Sequence, residues 1–226
     1  MVPIVEIHGL KKFYGERLVL DIPELPLEKG VRYAVIGPNG SGKTTLLRIL
    51  AGIITPDEGS IELKTCSVGY MPQHPYAFGF SVRRNVELAI KDRKVSRAGA
   101  LAALDKVGLY ELAEQKGDRL SGGETQRMAF ARIIAEPHEL VLMDEPTASA
   151  DIEGSVKMEE ALNSYILGTG CTLLFTTHMP SQAAIVAQKV ILMESGRIEE
   201  LGDMKQVLYN PRSESARLFL SHWRLA

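Results

Sequence analysis

"VRYAVIGPNGSGKTTLLRILAG", Val31 to Gly52, is the stretch on which the reading of the 226-residue sequence turns. VRYAVIG has the composition of a buried strand, and TTLLRILAG carries helical apolar spacing that stops at Gly52. Between them Gly37, Pro38, Asn39, Gly40, Ser41, Gly42, Lys43, Thr44 and Thr45 fit the pattern GxxxxGK[ST]. Glycines allow a tight loop whose amides turn inward on phosphates. Lys43 then reaches the β and γ phosphates, Thr44 ligates magnesium and Thr45 donates to the α phosphate. At average residue frequencies the pattern arises by accident in about 1% of chains of this length, and the strand-before, helix-after context lowers that further.

Downstream, "LVLMDEP" delivers Asp144 and Glu145 to the carboxyl end of an apolar strand. There Asp144 is placed to hold magnesium through water and Glu145 to polarise an attacking water. A glutamate beside magnesium and triphosphate stays ionised, so orienting water is as open a role for it as general base. Alone, the motif equally describes a buried strand ending in an acidic helix cap. Beside the phosphate loop it points to nucleotide hydrolysis. "LSGGETQR", Leu120 to Arg127, raises a separate question, because Ser121, Gly122 and Gly123 put amides and a hydroxyl at a helix N-terminus, a second anion site. One phosphate tail does not need both cradles from the same chain. A two-fold partner would bring the second cradle of each chain against the nucleotide of the other, closing two composite sites across an isologous interface.

The remaining patterning sets the fold class as α/β. "IVEIHGL" alternates, and "KKFYGERLVLDI" carries a glycine turn, as in antiparallel strands. "SVRRNVELAI", "AGALAALDKVGL" and "GGETQRMAFARIIA" have three- and four-residue apolar spacing, whereas "ELVLMDE", "CTLLFTTH" and "KVILMESGRIEEL" return to strand character between helical stretches. The expectation is a single domain over 1–226: a phosphate-loop NTPase core (1–72 and 138–226) with a mainly parallel sheet, an N-terminal antiparallel β subdomain and a helical insertion at about 73–137. Lys plus Arg total 26 and Asp plus Glu 28, a formal charge of -2, which argues against nucleic acid as a partner. Cys66 and Cys171 lack metal-ligand spacing and read as buried thiols in a reducing compartment. No apolar run reaches the roughly 18 residues of a spanning helix, and the N-terminus lacks a signal-peptide layout, so the expectation is a cytoplasmic chain that meets membranes through partners. The tail "NPRSESARLFLSHWRLA" reads as a short amphipathic helix anchored by Leu218, Phe219 and Trp223.

With these motifs in hand, the sequence resembles the ATP-binding cassette (ABC) family over essentially its whole length. "LSGGETQR" matches the signature that separates this family from other phosphate-loop proteins. The motif order also matches: Tyr14, the phosphate loop, Gln73 in "YMPQHP", the signature, "LMDEP", "ASAD" ending at Asp151, and His178 in "TTHMP". The resemblance implies that ATP and Mg2+ are bound, that Tyr14 stacks on adenine and that Gln73 senses magnesium and the attacking water. It further implies that His178 contacts the γ phosphate and that Asp151 communicates across a dimer. Read singly, Tyr14 is better taken as a strand aromatic, Gln73 as a turn residue, His178 as a strand-end histidine and Asp151 as a helix cap. Glu124 stands where glutamine is commoner, Ala150 precedes Asp151, and Met179 and Pro180 follow His178; none of these removes a catalytic group.

The partners implied by the resemblance are a second ATPase subunit, an integral-membrane permease at whose cytoplasmic face the chain sits, and, through the permease, an extracytoplasmic solute-binding protein. Tyr76, Phe78 and Phe80 near Arg83 and Arg84 are either a groove for a permease helix or packing of the insertion. Variants within the motifs are similar to the ATPase subunits of tungstate-type oxyanion importers, with importers of molybdate, phosphate or amino acids and an exporter as competitors. A soluble ABC protein of ribosomes or DNA would carry paired cassettes or basic extensions. A phosphate-loop kinase or GTPase would leave the signature without a role.

Overall fold

The computed structural model describes residues 2–148 and 152–223. Along the chain run β1 (Pro3–Tyr14), β2 (Arg17–Glu28), β3 (Arg32–Ile36), α1 (Lys43–Leu50), β4 (Glu58–Leu63) and β5 (Val68–Met71). They are followed by α2 (Val82–Glu87), α3 (Ser96–Lys106), α4 (Gly122–Ile134), β6 (Leu140–Asp144) and α5 (Ile152–Thr169). The last elements are β7 (Thr172–Thr176), α6 (Pro180–Val186), β8 (Lys189–Glu194), β9 (Arg197–Asp203), α7 (Met204–Tyr209) and α8 (Glu214–Ser221). The chain forms two units, one of Met1–Val68, Leu140–Glu145 and Cys171–Ala226, the other of Gly69–Glu139 and Pro146–Gly170. The long helix α5 therefore groups with the helices of the insertion.

In the first unit, β2, β1 and β4 make an antiparallel sheet in that order. Its alternating pattern buries Val5, Ile7, Leu20 and Ile22 on one face, as a two-faced sheet with a single apolar side requires. A second sheet runs β6-β7-β3-β8-β9. All five residues of β6 and all five of β7 are buried, which is why these strands read as unbroken apolar runs. β3 lies between β7 and β8, parallel to both, so its carboxyl end opens where neighbouring strands deliver theirs. "KVILMESGRIEEL" resolves into the β8–β9 hairpin, whose two turn residues Ser195 and Gly196 both have positive φ, 48° and 84°. That is the turn geometry whose twist matches antiparallel strands. The fold is α/β, with a mostly parallel sheet and an antiparallel N-terminal sheet.

The second unit is helical. α2 packs on α3 and α4, and α4 on α5, with Val82, Val86, Leu104, Met128 and Phe130 in its core. Among the described residues no helix is long and apolar enough to cross a membrane.

Two expectations need correction. Cys171 is buried, but Cys66 is exposed, because it lies in the coil between β4 and β5, where the chain runs over the surface. In the tail, α8 buries Ala216 and Leu220, an i,i+4 pair, whereas Leu218 is 63% exposed. Two residues away along a helix points to the other side.

Glu200 fastens this tail. Its carboxylate accepts from Gln206 Nε2 (2.6 Å) and from the amides of Arg212 and Ser213 (both 3.0 Å). Burial alone would push its pKa up, but the donors outweigh burial and hold it below the usual carboxylate value. A pKa depressed in the folded state contributes stability that is present above the unfolded value and lost as pH falls through the folded one. Glu200→Ala is expected to lower unfolding free energy by about 1–3 kcal/mol at neutral pH, measured by urea denaturation. The gap to the parent chain should narrow below about pH 4. An unchanged midpoint at neutral pH would rule out the fastening role.

Candidate active site

The phosphate loop closes over the N-terminus of α1. Gly37 and Gly42 have φ of 143° and 99°, and neither position admits a side chain. A Cβ on Gly37 would collide with the Met193 carbonyl, and one on Gly42 would lie 2.5 Å from Leu20 Cδ2. The β8–β9 turn supports the loop from outside, Gly196 donating its amide to the Ser41 carbonyl at 3.1 Å. Lys43 is 6% exposed. Its ammonium folds back on the loop, donating to the carbonyls of Gly37 (2.8 Å) and Pro38 (2.9 Å). Burial holds its pKa below the ordinary lysine value, against the pull of Glu145 and Asp144. A desolvated ammonium in a glycine-rich loop at the N-terminus of α1 is a site for an anion.

The acidic half is assembled from the ends of β6 and β7. Thr44, the second residue of α1, donates to Asp144 Oδ1 at 3.1 Å, and Thr176 donates to the same oxygen at 2.7 Å. The Thr176 hydroxyl also accepts from the Glu145 amide at 2.9 Å. Glu145 adopts φ 48°, a left-handed conformation uncommon outside glycine. Its carboxylate approaches His178, with Nδ1 3.3 Å from Oε2. Asp144 is 1% exposed, and its Oδ2 has no hydrogen-bond partner among the described residues. A buried carboxylate oxygen in that condition, beside a threonine hydroxyl, is a donor set suited to a hard divalent cation.

The first unit thus gathers the phosphate loop, Thr44, Asp144, Glu145 and His178. Tyr14 ends β1 opposite Arg17, half exposed, with the Lys12 ammonium 5.9 Å from its ring centre. A cavity of about 400 Å³ beside the loop is lined by Arg17, Leu18, Val19, Pro38, Asn39, Gly40, Ser41, Glu194 and Ser195. Gln73 and Ser121 to Gly123 belong to the second unit. Ser121 caps α4, with a full capping box: Glu124 accepts from the Ser121 amide and hydroxyl, both at 2.8 Å, while the Glu124 amide donates to Ser121 Oγ. Gln73 is half-buried in the segment after β5. Asp151 lies outside the described residues.

Sequence reasoning passed over two positions. Thr176 ties both carboxylates together, and its only trace in the sequence is a threonine pair before His178. In the second unit Asn85 is fully buried and works as a hub. Its amide donates to the carbonyls of Phe78 and Phe80, and its Oδ1 accepts from the Phe78 amide (2.9 Å) and from Arg132 Nη2 (2.5 Å). Arg132, on α4, also donates to the Tyr76 carbonyl at 2.8 Å. This hub presents a ladder in which Tyr76 meets Phe78 edge-on at 5.1 Å and Phe78 stacks on Phe80 at 5.3 Å. Tyr76 is 69% and Phe78 42% exposed, so these rings form a surface rather than fill a core.

Comparison with known proteins identifies the family. The profile of the ABC transporter family matches residues 20–148. The tungstate uptake system ATP-binding protein of Peptoclostridium acidaminophilum is 35% identical, over 87% of this chain and 97% of that protein. The spermidine/putrescine import ATP-binding protein of Bacteroides fragilis is 32% identical over 92% of this chain; the chain spans about half, 48%, of that relative. Among solved structures, a dimeric post-hydrolysis state of an ATP-binding cassette bound to ADP and phosphate superposes with a TM-score of 0.81. It is 25% identical, with 88% of this chain and 98% of that one covered. The phosphate loop, the carboxylate pair, the signature and these likenesses converge: the chain belongs to the ABC transporter family, as one of its ATPase domains.

Proposed function

We propose that the chain is the ATP-hydrolysing subunit of a membrane importer, working as a dimer that closes on ATP and opens after hydrolysis. The observation that carries this reading is the continuous chain of contacts Thr44–Asp144–Thr176–Glu145–His178 beside the phosphate loop. In it, Gly37 to Thr45 cradle the phosphates, and Lys43 exchanges its loop carbonyls for phosphate oxygens. Glu145 orients the attacking water, and His178 steadies the γ phosphate. Thr44 and Asp144, with Gln73, would hold Mg2+, which neutralises charge on the triphosphate when bound. Tyr14 stacks on adenine beside the cavity. Ser121, Gly122 and Gly123, with Asp151, serve the nucleotide of the opposite subunit.

The exposed ladder of Tyr76, Phe78 and Phe80, with the Arg84 guanidinium 5.5 Å from the Phe80 ring centre, suits a short amphipathic helix of an integral-membrane permease. The chain would then sit at the cytoplasmic face of the membrane, and an extracytoplasmic solute-binding protein would reach it through the permease. Tungstate or a related oxyanion is the cargo we favour. A pull-down from detergent-solubilised native membranes, with mass spectrometry and ATPase assays, tests the whole reading. A permease with an oxyanion-binding protein is the expected catch; ribosomes or DNA-bound proteins would overturn it.

Lys43→Ala is expected to weaken ATP binding about 10- to 100-fold, the loss of a charge-assisted contact, as read by equilibrium nucleotide titration. Glu145→Gln should accumulate an ATP-bound dimer on size exclusion, and a chain that stays monomeric at saturating ATP would count against composite sites. Glu124→Gln removes the anion that now engages the Ser121 hydroxyl. In the Glu145→Gln background it should tighten ATP-dependent association about three- to tenfold, measured by sedimentation; weaker association would show that Glu124 helps rather than competes.

A further inference from the structure

The C-terminal arm brings Trp223 against the histidine of the site. After Glu200 has fastened the amides of Arg212 and Ser213, Ser213 caps α8 through the Ala216 amide (3.1 Å), and Ala216 and Leu220 bury against the first unit. Helix α8 packs on β9. The Trp223 amide then donates to the Leu220 carbonyl at 2.9 Å, closing the helix. This series of anchors delivers the indole of Trp223 to the imidazole of His178, ring centroids 6.4 Å apart and tilted by 51°. That separation falls in the range in which aromatic rings interact.

His178 needs such an anchor. Its side chain is 48% exposed, and a half-exposed imidazole held at one edge alone retains rotamer freedom. Nδ1 faces Glu145 Oε2, which leaves Nε2, across the ring, as the atom for a phosphate oxygen. The Met179 amide is tied to Thr177 Oγ1 at 3.0 Å, so the backbone beside His178 is fixed, and the ring orientation is what remains to be set.

We propose that Trp223 is a positioning residue for His178: the indole limits the imidazole to the orientation in which Nδ1 meets Glu145 and Nε2 points toward bound phosphate. This rests on the reading of His178 as a phosphate contact. The C-terminal arm is then part of the catalytic apparatus by way of the histidine, without touching nucleotide itself.

Trp223 is the single tryptophan of the chain, so its emission reports on this contact without interference. The experiment compares the full-length parent chain with Trp223→Ala, Trp223→Phe, His178→Ala and the double variant Trp223→Ala/His178→Ala, by steady-state ATPase kinetics and by intrinsic fluorescence. Trp223→Ala is expected to lower kcat about three- to tenfold with KM for ATP changed less than about twofold, Trp223→Phe to restore most of the rate, and the double variant to be no slower than His178→Ala. His178→Ala should shift the Trp223 emission to longer wavelength as the indole gains solvent. A parental kcat in Trp223→Ala while His178→Ala is slow would overturn the positioning role and leave the histidine's role standing. A parental rate in His178→Ala would instead remove the reading beneath it. Should Trp223→Ala fail to fold, the emission of His178→Ala decides: an unchanged spectrum overturns the contact.

Discussion

Asp144 can be buried at the end of β6 because two hydroxyls and one ammonium reach its surroundings. An isolated carboxylate in that position would cost several kcal/mol. Its oxygen Oδ1 takes both hydroxyls, from Thr44 on α1 and from Thr176 on β7. The strand register makes the second possible, since Asp144 and Thr176 are direct partners in the parallel pairing of β6 and β7. A slip of one residue between the strands would put the two side chains on opposite faces of the sheet. The phosphate loop, β6 and β7 are thereby locked to one another, and the left-handed turn at Glu145 is held by the same Thr176 hydroxyl. Strain at Glu145 is tolerated because its neighbours over-determine it.

The parts of this arrangement legible in the sequence are those written in local patterns. Gly37 to Thr45 announces a loop between a strand and a helix, and β3 and α1 flank it as that pattern requires. Asp144 and Glu145 follow an apolar run that is a buried strand. Thr176 was hidden because its role depends on which strand lies beside β6, a long-range pairing that no local pattern encodes. Asn85 was hidden for a related reason: a polar residue inside a helical apolar pattern reads as surface until the carbonyls it satisfies are known. The tail was legible as a helix, but its inward face was misassigned. Of the anchors Leu218, Phe219 and Trp223, Leu218 faces outward, and geometry buries the smaller Ala216 with Leu220. Cys66 reads as buried from its missing metal-ligand spacing, which carries no information about the coil between β4 and β5.

Cargo is illegible for a deeper reason. Relatives named for tungstate and for spermidine or putrescine import lie at 35% and 32% identity, although one cargo is an oxyanion and the other a polycation. A likeness of this degree therefore does not distinguish between cargoes of opposite charge. Within the proposed reading the ATPase and the permease exchange only mechanical information, through surfaces such as the Tyr76–Phe80 ladder.

The Arg132–Asn85 hub shows how such a surface can be stiff enough to matter. Arg132 lies on α4, the helix that Ser121 and Glu124 cap, and its guanidinium holds the carbonyls of Tyr76 and Asn85. Burial lowers its pKa, yet arginine remains charged, so its hydrogen bonds are charge-assisted and directional. In the proposed reading, a push on the ladder would load α4 through these hydrogen bonds rather than through loose packing. At the other end of that helix, Ser121 Oγ is already engaged by Glu124. In the proposed dimer, a phosphate arriving there would exchange one anion for another, so its net gain would be smaller than for an unoccupied cap. An interaction of that near-balanced kind would be reversed by the loss of one phosphoryl group, as the proposed clamp requires.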